Sequence, residues 1–291
     1  MSRWRESTAT IERMAGKALY ITAMPHSGAG LTGLLLGLHP TLIGIGKAYS
    51  LVGADADWQD RADEVVCSCG SSAAGCAFWG RVRDRLGGST EAPTRERYRL
   101  LLEVFHEIFP GRIPVDSSGS LEGLESLVAM GEFKVNVLHQ IRDVRGWSLA
   151  ARRAGAGRSW FALFRRWYRE NRRLNDVLSR MALPAARISY DELGLYPGRA
   201  VAQVCEFLHL EPVDGARSWA DTQSHCLLGN SAAAGRLRRD VSYDDHWLHV
   251  SGWLLATALC PGIMRYNALS LIHISEPTRP LYISYAVFCL K

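Results

Sequence analysis

Apolar positions recur at three- and four-residue spacing along two long stretches of the chain. Over residues 94–109 they are Tyr98, Leu101, Leu102, Phe105, Ile108 and Phe109, which predicts an amphipathic helix stopped by Pro110-Gly111. Over 159–183 no proline interrupts the pattern, which predicts a longer helix whose Trp160, Phe161, Phe164, Trp167 and Tyr168 mostly pack in the core. Shorter helices are expected at 31–38, 121–130 (ended by Gly131), 146–153, 199–208 and 243–259, with a polar candidate at 58–66. Short apolar runs at 18–23, from Pro114 into Asp116, at 134–141 and at 186–188 read as buried strands. Strands alternating with helices predict an α/β fold: a P-loop-like, three-layer domain with a central, mostly parallel sheet flanked by helices.

The first strand carries the candidate chemistry. It runs into Pro25-His26-Ser27-Gly28-Ala29-Gly30 and then directly into a leucine-rich helix closed by His39-Pro40. Strand, small-residue turn and helix is the layout of an anion-binding loop. The first amides of a helix lack partners, its dipole favours negative charge, and small residues let the backbone come close to the ligand. A Walker A loop is excluded, because no lysine follows Gly30.

Other segments, in order, carry a family resemblance. Pro25, Ser27, Gly28, Leu31, His39 and Pro40 resemble the 5′-phosphosulfate loop of sulfotransferases that use 3′-phosphoadenosine 5′-phosphosulfate (PAPS). Val115-Asp116-Ser117-Ser118, the 135–143 segment VNVLHQIRD, the 187–193 segment RISYDEL and Gly229-Asn230 are similar to later elements of that family. Cys67-Ser68-Cys69-Gly70 with Cys76-Ala77-Phe78-Trp79 resembles a cysteine element of some bacterial members.

The resemblance implies transfer of a sulfuryl group from PAPS to a hydroxyl or amine of a small-molecule or glycan acceptor. It implies that Pro25, His26, Ser27, Gly28, Ala29, Gly30 and Leu31 hold the 5′-phosphosulfate. Arg142, Ser148, Arg236 and Arg238 would hold the 3′-phosphate, with a solvated basic face as the alternative for Arg236 and Arg238; His26 and His39 are the catalytic candidates, with shaping the helix end as the alternative for His39. Arg142 follows a buried strand, where parallel sheets bind ligands and a guanidinium can fork onto phosphate; a salt bridge to Asp143 or Glu132 is the alternative. The family's serine eight residues after this arginine falls on Ala150, with Ser148 two residues earlier.

The chain departs from the family pattern at other places. His26 stands where the family has Arg or Lys, and it supplies charge only when protonated. Ala29 and Gly30 replace hydroxyl residues, Gly119 replaces a lysine, and Lys47 replaces a glutamate. A catalytically inert nucleotide-binding protein on the same fold is therefore the alternative. A P-loop nucleotide kinase is further off, since it needs the absent lysine and a magnesium-binding Ser or Thr. Asp116 is read as capping Ser118-Gly119.

Composition changes little. The 291 residues are 47% hydrophobic and 22% charged with net charge +5, ordinary for one globular α/β domain and no nucleic-acid footprint. No stretch reaches about 18 uninterrupted apolar residues, and the start has no signal-peptide core, so the expectation is a cytoplasmic protein without a membrane span. Cys67, Cys69 and Cys76 can bind zinc with a fourth ligand from elsewhere, stay as buried thiols, or form one disulfide. No fourth ligand is adjacent, and no metal residue is assigned. Residues 269–291 resemble a translated sequencing adapter and its flow-cell primer, so the expected domain is 1–268 with a non-native tail, a natural divergent tail being the alternative.

Overall fold

In this computed structural model, residues 16–53, 57–87, 92–211, 222–227 and 243–271 are described. The elements are β1 (Gly16–Ala23), α1 (Ala29–Leu36), β2 (Leu42–Gly44), α2 (Ala48–Leu51), α3 (Ala77–Leu86), α4 (Thr94–Ile108), β3 (Ile113–Gly119), α5 (Leu121–Met130) and β4 (Phe133–Ile141). They continue as α6 (Val144–Arg153), α7 (Trp160–Met181), β5 (Ala185–Ser189), α8 (Tyr190–Leu195), α9 (Pro197–Leu208), α10 (Leu254–Leu259) and α11 (Pro261–Leu271).

The five strands form one sheet in the order β2-β3-β1-β4-β5, and every pairing is parallel. The fold is thus the expected α/β class, with the sheet wholly parallel among the described residues. β1 is the central strand, pairing Leu19 with Val115 of β3 and Tyr20 with Val137 of β4. A central parallel strand is covered on both faces, so β1 is an unbroken apolar run from Ala18 to Ile21 instead of alternating with polar residues. Its alternate residues still go to opposite sides. Ala18 and Tyr20 join a core with Trp79, Tyr98, Phe105 and Val137, while Leu19 and Ile21 join another with Leu36, Leu138 and Val204. A third cluster, under the carboxyl edge of β4, packs Met24, Ile141 and Trp147 against Phe164 and Trp167 of α7.

Helix ends follow local chemistry. Ser120 caps α5 by accepting from the Gly123 amide at 3.1 Å, and Ser159 caps α7 by accepting from Ala162 at 3.4 Å. α7 buries Leu163, Phe164, Trp167, Asn171, Leu174 and Leu178, one face at three- to four-residue spacing.

Two expectations are corrected. The stretch expected as a helix over 243–259 is a 3-10 turn at His246–His249 followed by α10, with Val250 between them in an extended conformation. The Trp253 indole ties that corner by donating to the Trp247 carbonyl at 2.8 Å. The polar candidate at 58–66 keeps only a 3-10 turn, Asp57–Gln59; Trp58, Ala62 and Val65 are buried as a helix would bury them, but the carbonyls of Ala62 and Val65 accept from the Ala74 and Ala73 amides of the following loop. α3 is a helix beyond those expected, and its signal is Phe78, Trp79, Val82 and Leu86, all buried on one face. Among the described residues no helix is long and apolar enough to cross a membrane.

Candidate functional site

After β1 the chain crosses the carboxyl edge of the sheet where the strand order turns from β3 on one side to β4 on the other. Open parallel sheets leave a ligand crevice at such a point. Five successive backbone carbonyls in this turn are tied back into the protein. Met24 accepts from the Ser27 amide at 3.2 Å and Gly28 from the Thr32 amide at 3.1 Å. The Trp147 indole donates to Pro25 at 2.8 Å, the Arg142 guanidinium to His26 at 3.1 Å, and the Gln140 side chain to Ser27 at 2.8 Å. Thr32 in turn donates to the Gln140 carbonyl oxygen at 2.6 Å, which fixes the amide's orientation.

With its carbonyls held inward, the turn presents its amides outward at the start of α1. No side chain caps that helix and no acidic residue sits in its first turn. The opening amides have no intrahelical acceptor, and the positive end of the dipole lies there. His26 (φ 68°) and Gly28 (φ 91°) take left-handed backbone on either side of Ser27, an alternation that gathers N–H groups into an anion-binding concavity. Gly28 is obligatory, since a Cβ there would run into the Tyr190 ring and come within 3.1 Å of Gln140 Nε2. At Gly30 a Cβ would meet open space, so this side of the turn is free.

Arg142 lies beneath this loop and is only 6% exposed. Its partner is neither Asp143 nor Glu132. One nitrogen pairs with Asp244 at 2.6 Å, and the guanidinium stacks over the Tyr190 ring at 4.3 Å. Glu132 pairs instead with Arg99 at 3.0 Å, and Asp143 with Arg145 at 2.8 Å. Asp143 also caps α6 by accepting from the Arg145 amide. Burial works against its charge, but the hydrogen bonds and charge of Arg145 outweigh that and hold its carboxyl below the usual range.

His39 is buried and both ring nitrogens are occupied. Nδ1 accepts from the Thr41 amide at 3.1 Å, which leaves the proton on Nε2 to donate to the Glu211 carbonyl at 3.0 Å. That arrangement closes the end of α1 and leaves no free ring nitrogen, which favours the helix-end reading of His39 over the catalytic one. His26 and Pro25 are exposed at the loop tip, while Ser27 is buried. Ser148 is fully buried, and its hydroxyl has no partner among the described residues. Arg236, Arg238 and Gly229-Asn230 lie outside the described residues.

Beside Pro25 opens a cavity of about 450 Å³, lined in part by Gly119, Glu122, Arg166, Glu170 and Arg173. Glu122 accepts from the Tyr49 hydroxyl at 2.9 Å. These charged residues were not evident as site candidates. Arg166, Glu170 and Arg173 share one face of α7 at i, i+4 and i+7, a signal overshadowed by the aromatic stripe beside it. Asp116 behaves as expected, accepting from the Ser118 amide at 2.7 Å and from the Tyr98 hydroxyl at 2.6 Å. Burial raises its pKa despite those bonds.

No protein-family model matches the chain, and no curated protein matches it in sequence. Among solved structures it is similar to the sulfotransferase domain of the Synechococcus olefin synthase, 14% identical over 85% of this chain and 95% of that one, TM-score 0.47. The sulfotransferase domain of the curacin biosynthetic pathway is 16% identical over 84% and 98%, TM-score 0.43. A sulfotransferase of Mycobacterium tuberculosis is 14% identical over 90% and 80%, TM-score 0.44.

Proposed function

We propose that this chain is a PAPS-dependent sulfotransferase. The observation that carries the proposal is the inside-out loop, five carbonyls tied back and the amides at the start of α1 left facing an open space at the switch point of the sheet. In this reading the amides from Gly28 to Leu31 hold the 5′-phosphosulfate, the Ser27 amide being already bonded to Met24, with Pro25 and Ala29 shaping the loop. Arg142 takes the 3′-phosphate, assisted by Ser148, Arg236 and Arg238, once it exchanges Asp244 for the ligand. The cavity beside Pro25 takes the acceptor. An acceptor hydroxyl or amine attacks sulfur, the bond from sulfur to the bridging phosphate oxygen breaks, and 3′,5′-adenosine bisphosphate leaves. Glu122, which lines that cavity, would receive the acceptor proton. Protonated His26 would balance charge on the leaving oxygen, and the rate would come from positioning and charge stabilisation.

A second reading has its own support. Arg142 is already paired with Asp244 at 2.6 Å, and histidine replaces the loop cation, which fits a nucleotide-binding protein without turnover. Calorimetry with 3′,5′-adenosine bisphosphate, then labelled PAPS with a panel of hydroxyl and amine acceptors, separates the two. Binding with transfer is the expected result. Binding without transfer to any acceptor favours the inert protein, and absence of binding defeats both.

A further inference from the structure

The cysteine loop between α2 and α3 meets a residue far away in sequence. Cys67, Cys69, Cys76 and His225 bring one sulfur or nitrogen atom each to within 4.8 Å of one another. His225 Nδ1 lies 3.2 Å from the Cys76 sulfur and 3.8 Å from that of Cys67. Tetrahedral zinc, with Zn–S near 2.3 Å and Zn–N near 2.0 Å, sets its ligand atoms about 3.6–3.8 Å apart. All three cysteines are free thiols, so no disulfide competes for them here.

We propose that Cys67, Cys69, Cys76 and Nδ1 of His225 bind one structural zinc ion. Three thiolates and an imidazole close a four-coordinate site of the softness zinc prefers, with no open position for catalysis.

The surroundings are built for ligation. The Cys67-to-Cys69 turn is clasped by the Gly70 amide, which donates to the Cys67 carbonyl at 2.9 Å, and Gly70 (φ 97°) supplies the left-handed backbone that the turn needs. His225 is oriented through its main chain. The Trp79 indole donates to its carbonyl at 2.6 Å, and its own amide donates to Gly44 at 2.6 Å. Its ring packs 5.2 Å from that of Phe109. Next to it, Ser68 Oγ donates to the Ser224 carbonyl at 2.6 Å and accepts from the Cys226 amide at 2.9 Å. Supporting bonds of this kind fix ligand orientation in metal sites. The ion would staple two separate segments, the 65–76 loop and the 222–227 stretch of chain, the second of which is already tied to the end of β2 at Gly44. This proposal does not depend on the sulfotransferase reading.

The test uses the full chain purified without chelator. Elemental analysis should give about one zinc per chain, and cobalt substitution should give the visible bands of a tetrahedral, thiolate-bound ion. Cys76→Ser and His225→Ala should each lower zinc content at least about fivefold, while His225→Cys keeps it. If those variants do not fold, alkylation of the unaltered chain decides. Zinc should shield Cys67, Cys69 and Cys76 until a chelator is added, while Cys260 reacts either way. A metal-free chain whose three thiols react freely, a disulfide among them, or full zinc in Cys76→Ser would overturn the proposal.

Discussion

Gly28 has two separate reasons to be glycine, and they act on the same side chain position. Its backbone is left-handed at φ 91°, which costs an L-residue about 1–2 kcal/mol. A methyl group would also press on Tyr190, the ring that carries Arg142 on its face at 4.3 Å. Gly28→Ala is therefore expected to move the loop and Arg142 together, and to weaken binding of 3′,5′-adenosine bisphosphate at least about tenfold by calorimetry. An unchanged affinity would mean that the ligand does not use this loop. Asp244→Asn tests the neighbouring charge. The carboxylate holds Arg142 at 2.6 Å, and the amide keeps the shape without the charge. If Arg142 receives the 3′-phosphate, this variant should bind the bisphosphate several-fold more tightly and leave binding of adenosine 5′-monophosphate unchanged. Equal changes for both nucleotides would place Arg142 away from the 3′ position.

At the scale of elements, β4, α7 and β5 meet around one buried histidine. His139 Nδ1 lies 2.9 Å from Asn175 Oδ1, and Arg187 reaches the same oxygen at 2.9 Å. Burial, reinforced by the Arg187 charge, pushes the His139 pKa from 6.5 down to about 4. Between those values the unfolded chain binds a proton at this position that the folded chain refuses. Stability from this residue is therefore fully present above about pH 6.5 and is lost as pH falls towards about 4. Each tenfold difference in proton affinity between the folded and unfolded chain is worth about 1.4 kcal/mol, so the loss approaches about 3 kcal/mol. Urea unfolding at about pH 7.5 and about pH 4.5 should show this drop, and His139→Gln should remove about that much of it. Equal pH dependence in the two proteins would count against a neutral buried His139.

The same elements show what the pattern of residues can and cannot reveal. α4, α5, α7 and β4 were legible because their apolar spacing extends over many residues and their ends carry Pro110, Ser120, Gly131 and Ser159. β2 was not, since three residues hold no period. The loop at 25–31 was legible as a candidate anion site from its small residues and its place between strand and helix. What aims it was not, because Gln140, Arg142 and Trp147 stand more than a hundred residues away and act on carbonyls, which leave no mark on composition. His225 was invisible as a partner of the cysteines for the same reason. His39 looked chemical because a histidine's tautomer depends on neighbours that only the fold supplies.

Over the whole molecule, the last element closes what the first opens. α11 reaches back to the start of α6, where Asn267 accepts from the Val144 amide and donates to Asp143 Oδ2, both at 2.9 Å. Its neighbour Tyr266 accepts from Asn175 at 2.6 Å, joining α11 to the group around His139. Asn267 is 3% exposed, so water cannot replace it. Asn267→Ala strands the buried Val144 amide and leaves Asp143 Oδ2 to Arg145 alone, and a buried polar group left unpaired costs about 1–3 kcal/mol. The variant should lose about 1–3 kcal/mol, a fall of roughly 3–10 °C in melting temperature for a domain of this size. Asn267→Asp spares the acceptor for Val144 but sets a second carboxylate against Asp143, so it should recover stability only at low pH, where one of the two is protonated. Because Asp143 directly follows Arg142, either change should also weaken nucleotide binding. A melting temperature within about 2 °C of the parent for Asn267→Ala would show that α11 is not part of the cooperative fold.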